Sequence, residues 1–346
     1  VLLERTAANA PRDGRVLLLL GLTYEDLARF DDARRLYGQY AAAGGSDELR
    51  AQVAGRLAVI ERVELRRAAA DALAREATLS AGDPSPRSVA VFPFMYTGDD
   101  PRLAPLGRAL AEMLATDLAQ TSRITVLERA RVQALLDEIG LAQGGLVEPS
   151  SGVRAGRLLS AGTVVQGRIG GGGDAVRLEA LVVGAGQGDA AAADPIAQEA
   201  ALRGLLDAEK ALALGIYARM GVELTAAERE RVGKRLTENV QALLVFGAAL
   251  QASDGGDFRR AAELFRQAAE MDGTFDAARE RAAAAEAAAA TTAQVAAALF
   301  GPGPLPALEV GDVARLPLGR DPTSEALGSE GLSRPRATIE IILRRP

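Results

Sequence analysis

Up to about residue 80, apolar positions recur every three to four residues, a helical period. Leu17, Leu20, Gly21 and Tyr24 make one stripe. After a break expected at Asp31 and Asp32, Ala33, Leu36, Tyr37 and Tyr40 make a second. Gly44 and Gly45 close that helix, and Ser46 with Asp47 can cap a third. Leu49, Val53, Leu57, Ile60, Val63 and Leu65 carry the third helix towards Leu79. The Asp83-Pro84-Ser85-Pro86 stretch then ends the pattern, because a residue before proline is pushed out of the helical region.

The middle of the chain alternates between two periods. Short β-rich apolar runs over 88–94, 124–127, 163–169 and 176–183 read as strands, the last two joined as a hairpin by the glycines at 170–173. Between them lie helical faces. Leu106, Leu110, Met113, Leu114 and Leu118 form one, Val132, Leu135, Leu136 and Ile139 another, and residues 153–159 a third. Residues 197–220 are expected to return to helix. Alternating strands and helices at this spacing predict an α/β fold class, a mixed sheet with flanking helices.

From Thr225 the helical period takes over. Residues 236–250 and 258–271 form a helical hairpin around Gly255 and Gly256, followed by an alanine-rich helix from Phe275 to about Phe300. Alanine gives that helix high propensity but little to pack with. Prolines and glycines at 301–306 break the chain. At the end Ile339, Ile341 and Leu343 alternate with Thr338, Glu340 and Ile342, the pattern of a strand that must find a sheet edge. The expected organisation is multidomain: an all-α region over 1–83, an α/β domain over 84–224, a second all-α region over 225–300, and a tail over 301–346.

Composition narrows the chemistry. Among 346 residues there is no His, Cys or Trp. That excludes Ser-His-Asp and Cys-His nucleophiles, thiolate or imidazole metal sites and disulfides, so the chain is expected not to be an enzyme and to need no cofactor. Forty basic against 46 acidic residues give a net charge of −6 with no concentrated basic face, which argues against nucleic acid as a partner. No run is long and apolar enough to predict a membrane helix. The chain begins at Val1 rather than Met, and a preceding segment is expected.

Both flanking helix pairs resemble tetratricopeptide repeats. Leu17, Leu20, Gly21, Tyr24, Ala33 and Tyr37, with Phe30, fall at the repeat's packing offsets in the first pair. Leu243, Phe246, Gly247, Leu250, Phe258, Ala261, Phe265 and Ala268 do so in the second, with Asp272-Gly273 where Asp-Pro is usual and a loop two residues longer than the consensus. Two single repeats cannot build a long groove, so each is expected to dock on something else.

The middle carries a second resemblance. Val89-Ala90-Val91-Phe92-Pro93-Phe94 and Leu106-Gly107-Arg108-Ala109-Leu110 resemble the opening strand and helix of the CsgG-like family, named for the curli-secretion lipoprotein. Val126-Leu127-Glu128-Arg129 with Val132-Gln133-Ala134-Leu135-Leu136, and Ala155-Gly156-Arg157-Leu158-Leu159 leading to Val164-Val165-Gln166-Gly167, are similar to its second and third units. The resemblance spans about residues 88–220. It implies non-enzymatic roles in the bacterial envelope: secretion channels, activators of cell-wall synthases, periplasmic rings. The long barrel-forming hairpins of the channel members and a lipid-anchor cysteine have no counterpart here, so a pore is not expected.

Other motifs weigh less. Gly184-Ala185-Gly186-Gln187-Gly188-Asp189 half-matches a dinucleotide loop, but Asp189 stands where the last Gly belongs and would repel pyrophosphate. Asp31-Asp32 and Asp99-Asp100 supply too few oxygens for a calcium site and sit at helix entrances, where they favour the dipole. Glu128 and Arg129 fall at a strand-to-helix corner, where they can serve as an internal ion pair or as a subunit contact. The expected function is an envelope or extracellular assembly protein, located in the periplasm, at the outer membrane or outside the cell. It would form a homo-oligomer through the CsgG-like domain and the strand bearing Ile339, Ile341 and Leu343. The alternative is a monomeric periplasmic adaptor that binds a partner protein through its repeats.

Overall fold

The structure, a computed structural model, describes residues 13–43, 47–76, 85–140, 149–171, 174–184, 194–291 and 294–295. The chain divides into two compact units, Val1–Ile60 with Ala287–Pro346, and Glu61–Glu286.

The first unit holds helices α1 (Gly14–Asp26) and α2 (Phe30–Ala43) and the beginning of α3 (Asp47–Ala74). Asp13 caps α1, accepting from the backbone N–H of Arg15 at 2.9 Å. The break between α1 and α2 comes at residues 27–29, earlier than the expected Asp31-Asp32: Ala28 takes a left-handed φ of 56°, and both aspartates fall in the first turn of α2, where their charge suits the helix dipole. Gly21 has no side chain to hold α1 off the Tyr37 ring; a Cβ there would lie 2.6 Å from that ring. Leu17, Leu18, Leu20, Leu36, Tyr37, Val53 and Ile60 close the core with Val295. Inside it the Glu25 carboxylate accepts the Tyr37 hydroxyl at 2.7 Å and the Arg56 guanidinium Nε at 3.0 Å. Burial, then the neighbouring Glu25 charge, pushes the Tyr37 phenol well above its ordinary range.

The second unit is built on a sheet of strands β1 (Ser85–Val91), β2 (Met95–Tyr96), β3 (Thr125–Val126), β4 (Ala161–Gly170), β5 (Ala175–Gly184) and β6 (Ile196–Ala201). The order is β3-β1-β4-β5-β6, with β2 also on β4. β3, β1, β4 and β2 pair in parallel; β4, β5 and β6 pair antiparallel, so the sheet is mixed. The expected strand over 88–94 starts earlier and is interrupted. Phe92 still donates to the Val165 carbonyl at 2.9 Å, but Phe94 donates to Gly107 at 3.0 Å before β2 resumes on β4.

Helices α4 (Leu106–Leu118) and α7 (Leu205–Arg219) cover one face of the sheet. Helices α5 (Arg129–Glu138) and α6 (Pro149–Leu159), with Ala69 of α3, cover the other. Successive residues of β1 and Phe92 just after it enforce this, since Val89 and Val91 face the first layer while Ala90 and Phe92 face the second.

Residues 196–201 correct the expectation of one helix over 197–220. They form β6, and α7 starts only at Leu205 after a short 3-10 turn. The helix preference of three alanines amounts to fractions of a kcal/mol per residue, less than the ladder to β5 and the packing of the half-buried Ile196 and Ala200 on the core supply. Ile196 fixes the register by packing on Gly215 of α7, where a Cβ would lie 2.8 Å from its side chain.

After the capped helix α8 (Ala226–Val232) come α9 (Val240–Gly255), α10 (Phe258–Met271) and α11 (Asp276–Ala289). Phe246 meets Phe265 edge-on at 5.3 Å and Phe275 at 4.7 Å. Asp272 stitches the hairpin ends together: its carboxylate accepts from Thr237, Thr274 and the Glu238 N–H, which hold it well below the usual carboxylate range. This hairpin has no core of its own. Ala242, Leu243, Phe246 and Leu250 belong to the same buried cluster as Leu106, Leu110 and Met113 of α4. Gly247 permits the approach, since a Cβ on it would lie 2.1 Å from the Pro105 carbonyl oxygen.

Gly247→Ala is therefore expected to destabilise the chain by about 1–3 kcal/mol through forced separation of α9 and α4. Gly255→Ala, with nothing within 4 Å of its added Cβ, should be neutral or slightly stabilising. Urea unfolding of the two variants checks the contrast.

Candidate functional site

Five elements of the second unit bring arginines and carboxylates together where α4, α5 and α9 meet. Asp254, at the end of α9, accepts Arg108 Nε at 3.0 Å through one oxygen and bonds Arg129 Nη1 through the other. Arg129 Nε lies 3.3 Å from Glu112, and Glu112 also pairs with Arg281 of α11. Arg62 of α3 donates to the Ser253 carbonyl at 2.6 Å and to that of Asp254. Burial opposes the charge on Arg129, but the Asp254 and Glu112 carboxylates outweigh it, so the guanidinium is held above its ordinary value. Burial and the nearby Arg66 pull Arg62 below its own. Between Arg108, Arg129 and Asp254 and the residues Val91, Pro93, Ala111, Leu127 and Gln133 lies a crevice with space for about one water molecule.

A second polar group is buried between α4 and α7. Lys210 Nζ bonds both oxygens of Asp117, at 2.8 and 2.9 Å, and lies 3.3 Å from Glu209. Tyr217 donates to the Asp117 carbonyl at 2.7 Å, and burial pushes its phenol up to about 12. Glu209 is 0% exposed and neither of its oxygens has a hydrogen-bond partner among the described residues. One ammonium between two buried carboxylates cannot offset both charges. Burial first, and then the Asp117 charge, raise Glu209 well above the usual carboxylate range.

Of the residues singled out in the sequence, Glu128 and Arg129 sit at the expected corner but do not pair with each other. Glu128 occupies the N-cap of α5 without a side-chain cap bond and is exposed, while Arg129 turns inward to Asp254 and Glu112. Ile339, Ile341 and Leu343 lie outside the described residues, as do residues 185–189 of the glycine loop. Asp100 caps the turn at 101–103 and holds Arg102, and Asp32 binds Arg29 and Arg35. Asp254 escaped the sequence reading because its partners are 125 and 146 residues away. Lys210 left a signal, being one of two lysines in the chain and set in an apolar helix.

Glu209 makes stability depend on pH with a definite sign. Its folded pKa exceeds its unfolded one, so the folded state binds more protons, and stability falls as pH rises from the ordinary glutamate value towards the raised one. Glu209→Gln, which keeps the shape without the charge, should flatten the melting temperature against pH over that range; a slope equal to the wild type's would contradict the assignment. In the arginine network, Asp254→Ala takes the carboxylate partner from Arg108 and leaves Arg129 with Glu112 alone, and should cost about 3 kcal/mol. Glu128→Ala should stay within about 0.5 kcal/mol in the same urea titration.

Residues 66–197 match the family described as "Curli production assembly/transport component CsgG", a little over a third of the chain. Among solved structures the LpoB C-terminal domain from Salmonella enterica is similar, with 15% identity and a TM-score of 0.26, over 40% of this chain and 93% of that one. No curated protein matches. The matched stretch runs from the later part of α3 through β1 to β5 and into the start of β6. The likeness to the CsgG family is carried by residues 66–197.

Proposed function

We propose that the chain is a non-enzymatic assembly protein of the bacterial envelope or the extracellular space. Its CsgG domain would serve as the body of a self-associating particle, a ring or filament. The observation that carries this reading is the match over residues 66–197 to a family described by assembly and transport. The site chemistry supports it. The buried carboxylates are engaged with arginines and lysine of the chain's own elements, and no His or Cys is available for nucleophilic work. Among the described residues no helix is long and apolar enough to cross a membrane. Periplasmic, outer-membrane-associated or extracellular placement goes with this function, with envelope proteins as further partners. The terminal residues Ile339, Ile341 and Leu343 would supply the self-association contact, and the helical pairs, tetratricopeptide-like in spacing, would brace the body.

A monomeric adaptor is the second reading. The exposed charged face of α10, with Arg259, Arg260, Glu263 and Arg266, favours it as a protein-binding surface. The docking of α9 on α4 weakens it, since it takes the small-residue face of that hairpin.

Light scattering of the purified full chain tests the choice. The assembly reading expects a mass several times that of one chain, falling to one chain when residues 335–346 are deleted. A single-chain mass at every concentration, together with capture of one specific envelope protein, would favour the adaptor.

A further inference from the structure

The two ends of the sheet are treated differently. β3, at one end, is two residues long, which protects an edge by shortness. β6, at the other, is six residues of Ile-Ala-Gln-Glu-Ala-Ala, with no proline or lysine, and its pairing to β5 has no bulge. Among the described residues no strand pairs with its outer side. The parity of its hydrogen bonds follows from Leu202, which donates to the Asp174 carbonyl at 2.7 Å. Positions 196, 198 and 200 therefore exchange bonds with β5, while Ala197, Glu199 and Ala201 aim N–H and C=O outward. Ile196, Ala200, Leu202 and Leu214 are half-buried apolar residues that fringe the core there.

We propose that the outer edge of β6 is a strand-acceptor site, and that its occupant is the segment 337–343 of a second copy of this chain. The source in a second copy rests on the self-association reading above. Three features favour this occupant. Its alternation gives Ile339, Ile341 and Leu343 one face, which would continue the apolar fringe of Ile196 and Ala200. Its seven residues match the six of β6. Its ends are basic, Arg336 on one side and Arg344 with Arg345 on the other. Asp194 and Asp174 flank the two ends of the β5–β6 ladder, so an added strand meets opposite charge whichever way it runs.

The test titrates a labelled peptide of residues 335–346 into the chain lacking those residues. Binding is expected, and Ala197→Pro or Glu199→Pro should weaken it at least about tenfold, because each removes one outward N–H and leaves the β5 ladder and the melting temperature in place. Peptide variants cover the case in which a proline variant fails to fold. A strand docks on an edge through every second residue, so N-methylation at 338, 340 and 342 and N-methylation at 339, 341 and 343 should differ, one set abolishing binding and the other sparing it. Equal effects of the two sets, no peptide binding, or undiminished binding to folded proline variants would overturn the acceptor assignment. If the full chain nevertheless associates and loses association on tail deletion, self-association stands and only the β6 edge is wrong. A full chain that never associates overturns both.

Discussion

The burial of α4 on two sides is the constraint on which the second unit depends. One side faces the sheet through Leu110, Met113 and Leu114, and Gly247 of α9 reaches the carbonyl that precedes the helix. A helix so enclosed leaves its charged residues little water, and each of them is matched from a different element. Arg108 finds Asp254 of α9, Glu112 finds Arg129 of α5 and Arg281 of α11, and Asp117 finds Lys210 of α7. Such pairs add little net stability, because desolvation offsets most of the attraction, but any wrong docking would leave a buried charge unmatched. The ion pairs therefore act chiefly on which arrangement forms, while the apolar cluster shared by α4, α9 and α10 provides the driving force.

The same constraint explains why the helical hairpin resembles a repeat in sequence yet stands alone. A repeat helix pair buries its inner face on the next pair. Here α4 covers the inner face of the α9–α10 pair, and Phe246, Ala261 and Phe265 lie in the buried cluster that it shares with them. The joining segment is fixed as well. Thr225 and Glu228 form a capping box, and Arg231 donates to the Gln120 carbonyl at 3.0 Å just beyond the end of α4.

Local pattern carried much of this architecture. The β4–β5 hairpin, the apolar face of α4 and the α9–α10 pair were legible because each depends on periodicity and turn glycines within a short window. The failures are equally physical. Residues 196–201 read as helix because alanine favours helix locally, whereas the deciding interaction is the open edge of β5, which no local window contains. Glu128 and Arg129 were placed at the right corner, with an internal pair and a subunit contact both left open. Successive residues point different ways there, and only Arg129 faces the carboxylates of α4 and α9. Glu209 and Lys210 were passed over because two adjacent charges in a helix ordinarily mark a solvated side. Only the placement of Asp117 opposite them reveals a buried group.

Native-state hydrogen exchange tests the shared role of α4 most directly. If α4 joins sheet and hairpin into one cooperative body, the amides of α9 and α10 should open with the same free energy as those of β4 and β5 and move with them on Asp254→Ala. Amides of α9 and α10 that exchange through a separate, far easier opening while the sheet stays protected would contradict it.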